Sequence, residues 1–258
     1  VNDWLLPDGL PPGRLIVPNP NYVGGEALGP VLWMSDAPVE QPGEWWHRLR
    51  AEHWRTGLWP LVLETLSGAP TRPWHDGELD PRSGPDGGPA DVDLLLEALW
   101  GKGQPDDDED EDLTMVRGDW PGLAARGEPE GDPDAVSGKV AREWFREPAL
   151  LGLVPAPDGA AALRATGWLG SCNYTTTADV AAVLASWQDR FGVRLLSVGF
   201  DTIGVSIAAP PRTAEHALAI AAEHFAICPD NVWQGPFETL PRYAEALIGA
   251  PNWYFWWD

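Results

Sequence analysis

The chain predicts an α+β protein whose C-terminal part is a βαββαβ-like, ferredoxin-like sandwich, preceded by an N-terminal α/β extension. Three observations carry this expectation. Val180, Val183, Leu184, Trp187 and Phe191 fall at i, i+3, i+4, i+7 and i+11 and mark one amphipathic helix over Thr177 to Phe191. "VRLLSVGFDT" and "GVSIAAP" follow at once as two strands, joined near Asp201 and Gly204 in a manner that suits a hairpin. A second helix, Thr213 to Ile227, and the terminal strand "NWYFWWD" complete a helix, hairpin, helix, strand order, with a first strand in "LLGLVPA" or "GWLGSCN".

From the N-terminus, "RLIVPN" and "PVLWMSDAP" predict short strands bounded by Pro, Asn and Asp. In "PGEWWHRLRAEHWRTG", Pro42 suits a first helical turn and Gly57 a stop. "LWPLVLETL" is apolar with one proline, which predicts an edge strand or a strand that starts after Pro60. Ser67 to Ala90 is rich in Pro, Gly and Asp and predicts a loop, and "DVDLLLEALW" predicts a helix N-capped by Asp91. Beyond the acidic run, "DPDAVSGKVAREWFRE" predicts a helix from about Asp132, and "TLPRYAEALIGA" one closed by Gly249. Thr176 with Asp179 forms a capping-box pattern, and Gly192 marks the stop. The expected organisation is an N-terminal α/β region over 1–102, an acidic linker over 103–131 and a C-terminal α+β domain over 132–258.

The 258 residues are 44% hydrophobic, enough for a sizeable core. The opening residues lack a basic start followed by an apolar run, and no segment nears 18 uninterrupted apolar residues. Cys172 and Cys228 stand alone, without a CxxC, so a cytoplasmic protein with no metal site and no cofactor is expected. The formal charge of −22 disfavours nucleic-acid binding through a basic face. The acidity is local: Asp76 to Asp134 holds 19 acidic and 4 basic residues, and "PDDDEDEDL" within it reads as a solvated run. Fifteen arginines against two lysines, with heavy Ala, Gly, Pro and Asp use, suggest a GC-rich, actinobacterial type of source.

"FAICPDNVWQG", Phe225 to Gly235, is the best candidate site. Pro229 stops the helix, and Asp230 and Asn231 suit the turn while offering hydrogen bonds to the loop backbone. His224 lies one turn before Cys228, so His224, Cys228 and Asp230 are candidate base, nucleophile and orienter. The same pattern also reads as plain packing, with the thiol as a small core hydrophobe. Asn231, Trp233, Gln234, Trp253, Trp256, Trp257 and Asp258 are candidate ligand-binding residues, as sixteen tryptophans exceed ordinary core needs. In the terminal strand Trp253, Phe255 and Trp257 point one way, and Tyr254, Trp256 and Asp258 the other. Either both faces are covered, or one lines a pocket for a small aromatic or sugar-like ligand. His47 and His53 lie about 240° apart around a helix and cannot share a metal from one face. There is no HExxH, GxSxG or Gly-rich phosphate loop.

These residues resemble a bacterial, mainly actinobacterial family, the domain of unknown function 4253. The resemblance rests on "VLASWQDRFGVRLLSVGFDTIGVSIAAPP", "AAEHFAICPDNVWQG" and "FWWD" and covers about Leu151 to Asp258. "PVLWMSD" and "TGLWPLVLE" are similar to the N-terminal extension of actinobacterial members. Ile227 stands where the family commonly has phenylalanine, a change of packing and not of chemistry. The resemblance implies no activity, cofactor or catalytic residue. The expected function is a protein-binding module, of an immunity or antitoxin kind, that meets a partner with a basic surface. The alternatives are a hydrolase or transferase using His224, Cys228 and Asp230, or a small-molecule sensor with an aromatic pocket, none of them at a membrane.

Overall fold

The computed structural model describes residues 4–82, 91–103, 118–237 and 239–258. Among the described residues seven strands form one sheet: β1 (Gly13–Ile16), β2 (Leu32–Ser35), β3 (Leu58–Leu63), β4 (Leu150–Pro155), β5 (Arg194–Val198), β6 (Thr202–Ser206) and β7 (Asn252–Trp256). Their order is β1-β2-β4-β3-β5-β6-β7, and every neighbouring pair is antiparallel except β3 with β5. Eight helices accompany them among the described residues: α1 (Pro42–Thr56), α2 (Val92–Gly103), α3 (Pro133–Trp144), α4 (Gly159–Thr166), α5 (Thr177–Phe191), α6 (Ala214–Ile227), α7 (Asp230–Trp233) and α8 (Leu240–Leu247).

The mixed α+β class holds, and the ferredoxin-like arrangement does not. A split βαβ joins parallel strands through a helix. Here α6 connects β6 to β7, which are antiparallel neighbours. The sheet also does not divide at the acidic run, since β3 from the N-terminal region lies between β4 and β5 of the C-terminal one. Residues 118–131, expected in a solvated linker, pack against the C-terminal part. Ala124 is buried with its N–H on Glu223 Oε1 at 2.7 Å, and Glu130 N–H reaches Ala208 O. Glu223 is fully buried and is neutralised by Arg190 while also accepting from the Trp187 indole. The densest part of the acidic run, and the end of the loop before α2, lie outside the described residues.

β3 is a central strand despite its proline. Glu64 N–H donates to Val198 O on β5, so alternation turns the Pro60 nitrogen toward the same side. β5 joins the ladder only at Val62, so no β5 partner is lost at Pro60. The sheet separates two helical layers. Tyr254 on β7 meets Trp144 of α3, whereas its neighbours Trp253 and Phe255 meet Trp187 of α5. Strand alternation therefore puts α3, with α1 beside it, on one face and α5 with α6 on the other.

Local signals set most boundaries. The Thr176 and Asp179 capping box starts α5 and Gly192, at φ 64°, ends it. Asp132 caps α3 by accepting from Asp134 and Ala135 N–H, and Asp91 accepts from Asp93 N–H at the start of α2. Asp134 then ties three elements together, accepting from Arg50 of α1 at 2.8 Å and Arg194 of β5 at 2.7 Å. The α1–α3 contact depends on Gly43, where a Cβ would stand 2.1 Å from Ala141 O. Gly43 N–H also donates to Phe145 O, which holds the end of α3 against the start of α1. Gly43→Ala is expected to destabilise the protein by about 1–3 kcal/mol through this backbone clash, measured as a lowered midpoint of chemical denaturation.

Candidate functional site

The segment from Phe225 to Gly235 is a clamp on the free edge of the sheet. β7 is the last strand, so the N–H and C=O groups of Tyr254 and Trp256 point outward without a neighbouring strand. Pro229 ends α6, and the turn into α7 brings polar side chains to that edge. Asn231 Oδ1 accepts from Trp256 N–H at 3.2 Å, and Asn231 Nδ2 donates to Tyr254 O at 2.8 Å. Cys228 Sγ donates to Trp256 O at 2.9 Å, and Asp230 Oδ2 accepts from Asp258 N–H at 3.1 Å. Three side chains thus pair Tyr254 O, Trp256 N–H, Trp256 O and Asp258 N–H at this edge. Asn231→Ala removes two of these bonds and is expected to cost about 2–3 kcal/mol in urea denaturation.

The proposed catalytic trio is not assembled. His224 and Cys228 meet only through the helix backbone, where Cys228 N–H donates to His224 O. The His224 ring is fully buried, with Nδ1 paired to Tyr243 OH at 2.9 Å and Nε2 without a hydrogen-bond partner among the described residues. Its surroundings are aromatic: Trp253, Phe255 and Trp187 lie within 4.9 Å between centroids. Burial holds the imidazole well below its ordinary value of 6.5, so it is neutral. Burial also pushes the Cys228 thiol up, which keeps it protonated and a poor nucleophile. Asp230 accepts from Asp258 N–H and Gln234 Nε2 and orients no imidazole.

The candidate ligand residues divide in the same way. Trp253 and Trp257 are core: Trp257 packs on Trp168 and donates its indole N–H to Ile227 O. Trp233 is half-buried against Phe225, with its indole N–H on Gly103 O. Trp256 is half-buried and donates to Asp201 Oδ2 at 3.2 Å, while Gln234 reaches Asp230 and Asp258 at the surface. Among the described residues no cluster of three His, Cys, Asp or Glu side chains could hold a metal ion, and no helix is long and apolar enough to cross a membrane.

The neutral, buried His224 has a thermodynamic signature. Its folded pKa is depressed, so below pH 6.5 the unfolded chain binds a proton that the folded protein does not, and stability falls with falling pH. The slope contributed is up to about 1.4 kcal/mol per pH unit. Thermal melts between pH 5 and 7 are expected to show a shallower pH slope for His224→Gln than for the native chain.

A cleft on the opposite face of the sheet was not foreseen from the sequence. It measures about 790 Å³ and lies between the end of β3, the end of α3 and β7. Glu64 follows β3 directly, at the C-terminal end of the parallel β3–β5 pair. Its backbone is held by Val198 O and by the Trp74 indole, which donates to Glu64 O at 2.7 Å. Its Oε2 accepts from Tyr254 OH at 3.1 Å and Thr202 Oγ1 at 3.4 Å. Trp144 and Phe145 stack with centroids 5.0 Å apart, and Tyr254 stands at 68° to Trp144 at 6.1 Å. Gly204 lets Trp144 approach β6, since a Cβ there would lie 2.9 Å from its Cη2. Burial pushes the Tyr254 hydroxyl up to about 12, with the nearby Glu64 charge adding to it, so the phenol stays neutral. A smaller cleft of about 360 Å³, lined by Asp36, Thr65 and His75, also reaches Glu64. The sequence signal for this site was slight: one carboxylate closing the apolar run "LWPLVLE" and two aromatics at a helix end.

The arrangement of helices on both faces of a mixed sheet, with a carboxylate cleft on one face and an aromatic core on the other, defines an α+β protein with an open surface cleft. Residues 150–258 match the family model described as a domain of unknown function, DUF4253. The match takes in the edge clamp, Thr202 and Tyr254; Glu64, Trp144 and Phe145 lie before it. No curated protein and no solved structure matches the chain.

Proposed function

We propose that this chain is a non-catalytic, cytoplasmic binding module that docks a protein partner with a basic surface on the sheet face bearing Glu64. The observation that carries this reading is the cleft itself: an open, aromatic-walled space whose carboxylate has no cationic partner among the described residues. A net charge of −22 steers a basic partner toward such a surface. Two free cysteines fit a reducing compartment. The alternative of a hydrolase or transferase at the C-terminal loop draws no support from the geometry, because Cys228, Asp230 and Asn231 are committed to holding β7.

The test compares variants at the two places. A tagged native chain, captured from its source cells and weighed by native mass spectrometry, is expected to carry a stoichiometric basic protein. Glu64→Arg should reduce that capture at least tenfold while Cys228→Ser leaves it intact. The reverse pattern, loss with Cys228→Ser and retention with Glu64→Arg, would overturn the proposal and return the function to the loop.

A further inference from the structure

Resting on the binding reading, we infer that the Glu64 cleft is a socket for one organic cation, a guanidinium or ammonium group lying in the corner that the Tyr254 ring makes with the Trp144–Phe145 stack, with its charge on Glu64. Three features define that chemistry. The first is an oriented but unneutralised carboxylate. Both side-chain donors to Glu64, the hydroxyls of Tyr254 and Thr202, are neutral and converge on Oε2. They fix the direction of the group without cancelling its charge, and they leave Oε1 for a further donor. No Lys, Arg or His among the described residues forms an ion pair with it, and a charge in a partly covered cleft gains from a cation that supplies N–H donors.

The second feature is the geometry of the walls. Tyr254 stands at 68° to Trp144, and Phe145 lies nearly parallel to Trp144 at 18°, so the rings make two walls meeting at an angle. Aromatic faces arranged in this way favour a cation through their quadrupoles and exclude an anion. The third is that the walls are held in place before any ligand arrives. Asn231 and Gly43 hold the backbones of Tyr254 and Phe145, while the Tyr254 hydroxyl on Glu64 and the Trp144–Phe145 stack fix the rings. Preorganised rings lose little entropy on binding. Arg146 and Glu147 also line the cleft, and their opposite charges leave Glu64 to set its sign. A neutral sugar would use the rings but would leave the carboxylate without a counter-charge.

The cation could be a free small amine or an arginine or lysine side chain of a protein, and the experiment separates the two. Protein labelled with 15N-tryptophan is titrated with L-argininamide, with methylammonium, with a nine-residue Gly/Ser peptide carrying one central arginine, and with neutral methyl glucoside. The Trp144 indole signal, assigned through Trp144→Phe, is the readout. Saturable shifts by one or more cations are expected, weakened at least tenfold in Glu64→Gln and in Tyr254→Leu, with no saturation by the glucoside. Tighter binding of argininamide than of the peptide supports a free amine, and tighter binding of the peptide supports a partner's side chain. Tyr254 is 42% exposed, so Tyr254→Leu keeps the test open even where Glu64→Gln disturbs the fold, which thermal melts will show. Absence of saturation by every cation, unchanged affinity in Glu64→Gln, or preference for the glucoside overturns the socket. Loss of basic-partner capture by Glu64→Arg with no cation bound would sink the socket alone and leave the docking reading in place.

Discussion

The structure depends on the seating of β3 between β4 and β5. One flank is a six-residue antiparallel ladder from Leu58 with Pro155 to Leu63 with Leu150, and the other is a short parallel contact of Val62 with Ser197 and Leu63 with Val198. Every residue of β3 is buried, and α1 packs along it. This insertion makes a single sheet from two stretches of chain that composition would separate. It also places Glu64 where a parallel pair ends, at a break in strand direction. Open sheets commonly leave room for ligands at such points, because the chain connections diverge there.

Both ends of the molecule's chemistry meet in β7. Its inward row, Trp253, Phe255 and Trp257, forms an aromatic core around His224, while Tyr254 on the outward row forms a wall of the cleft. A strand so aromatic, placed at a sheet edge, is a hazard for pairing with another chain. The Cys-Pro-Asp-Asn turn answers that hazard with side chains in place of a strand. The same Asn231 amide that closes the edge also reaches Tyr243 OH, the partner of His224, so the edge, the buried histidine and the cleft wall share one hydrogen-bonded unit. The polar residues that suggest a catalytic loop are therefore explained by what the strand beside them lacks.

Much of the fold was legible because its signals are local. The α5 stripe with its Thr176 and Asp179 box, the Asp132 cap of α3 and the Gly57 and Gly192 stops each act within a few residues of themselves. α4 was missed because "GAAALRAT" spans only eight residues and carries one large apolar side chain, Leu163, and α7 because four residues leave no periodicity. Sheet order was misread because it is set by pairings across more than a hundred positions, as between Val62 and Ser197. The cleft was invisible for the same reason, since residues 64, 144, 145, 202 and 254 converge only after folding. The role of Asn231 needed the position of β7, which no spacing within "CPDN" reveals.

The place of β3 in the sheet also governs the order in which the protein is made. The strand leaves the ribosome before either of its neighbours, since β4 and β5 begin at Leu150 and Arg194. During synthesis the apolar run "LWPLVL" waits for β4 until Leu150 is added and for β5 until Arg194 is. Domains fold as units during translation when their contacts are local, and long-range pairings delay that step and leave strand edges uncovered. The N-terminal stretch is thus a client of its own C-terminal half, and truncation after α3 would leave it with an unclosed sheet and a tendency to aggregate.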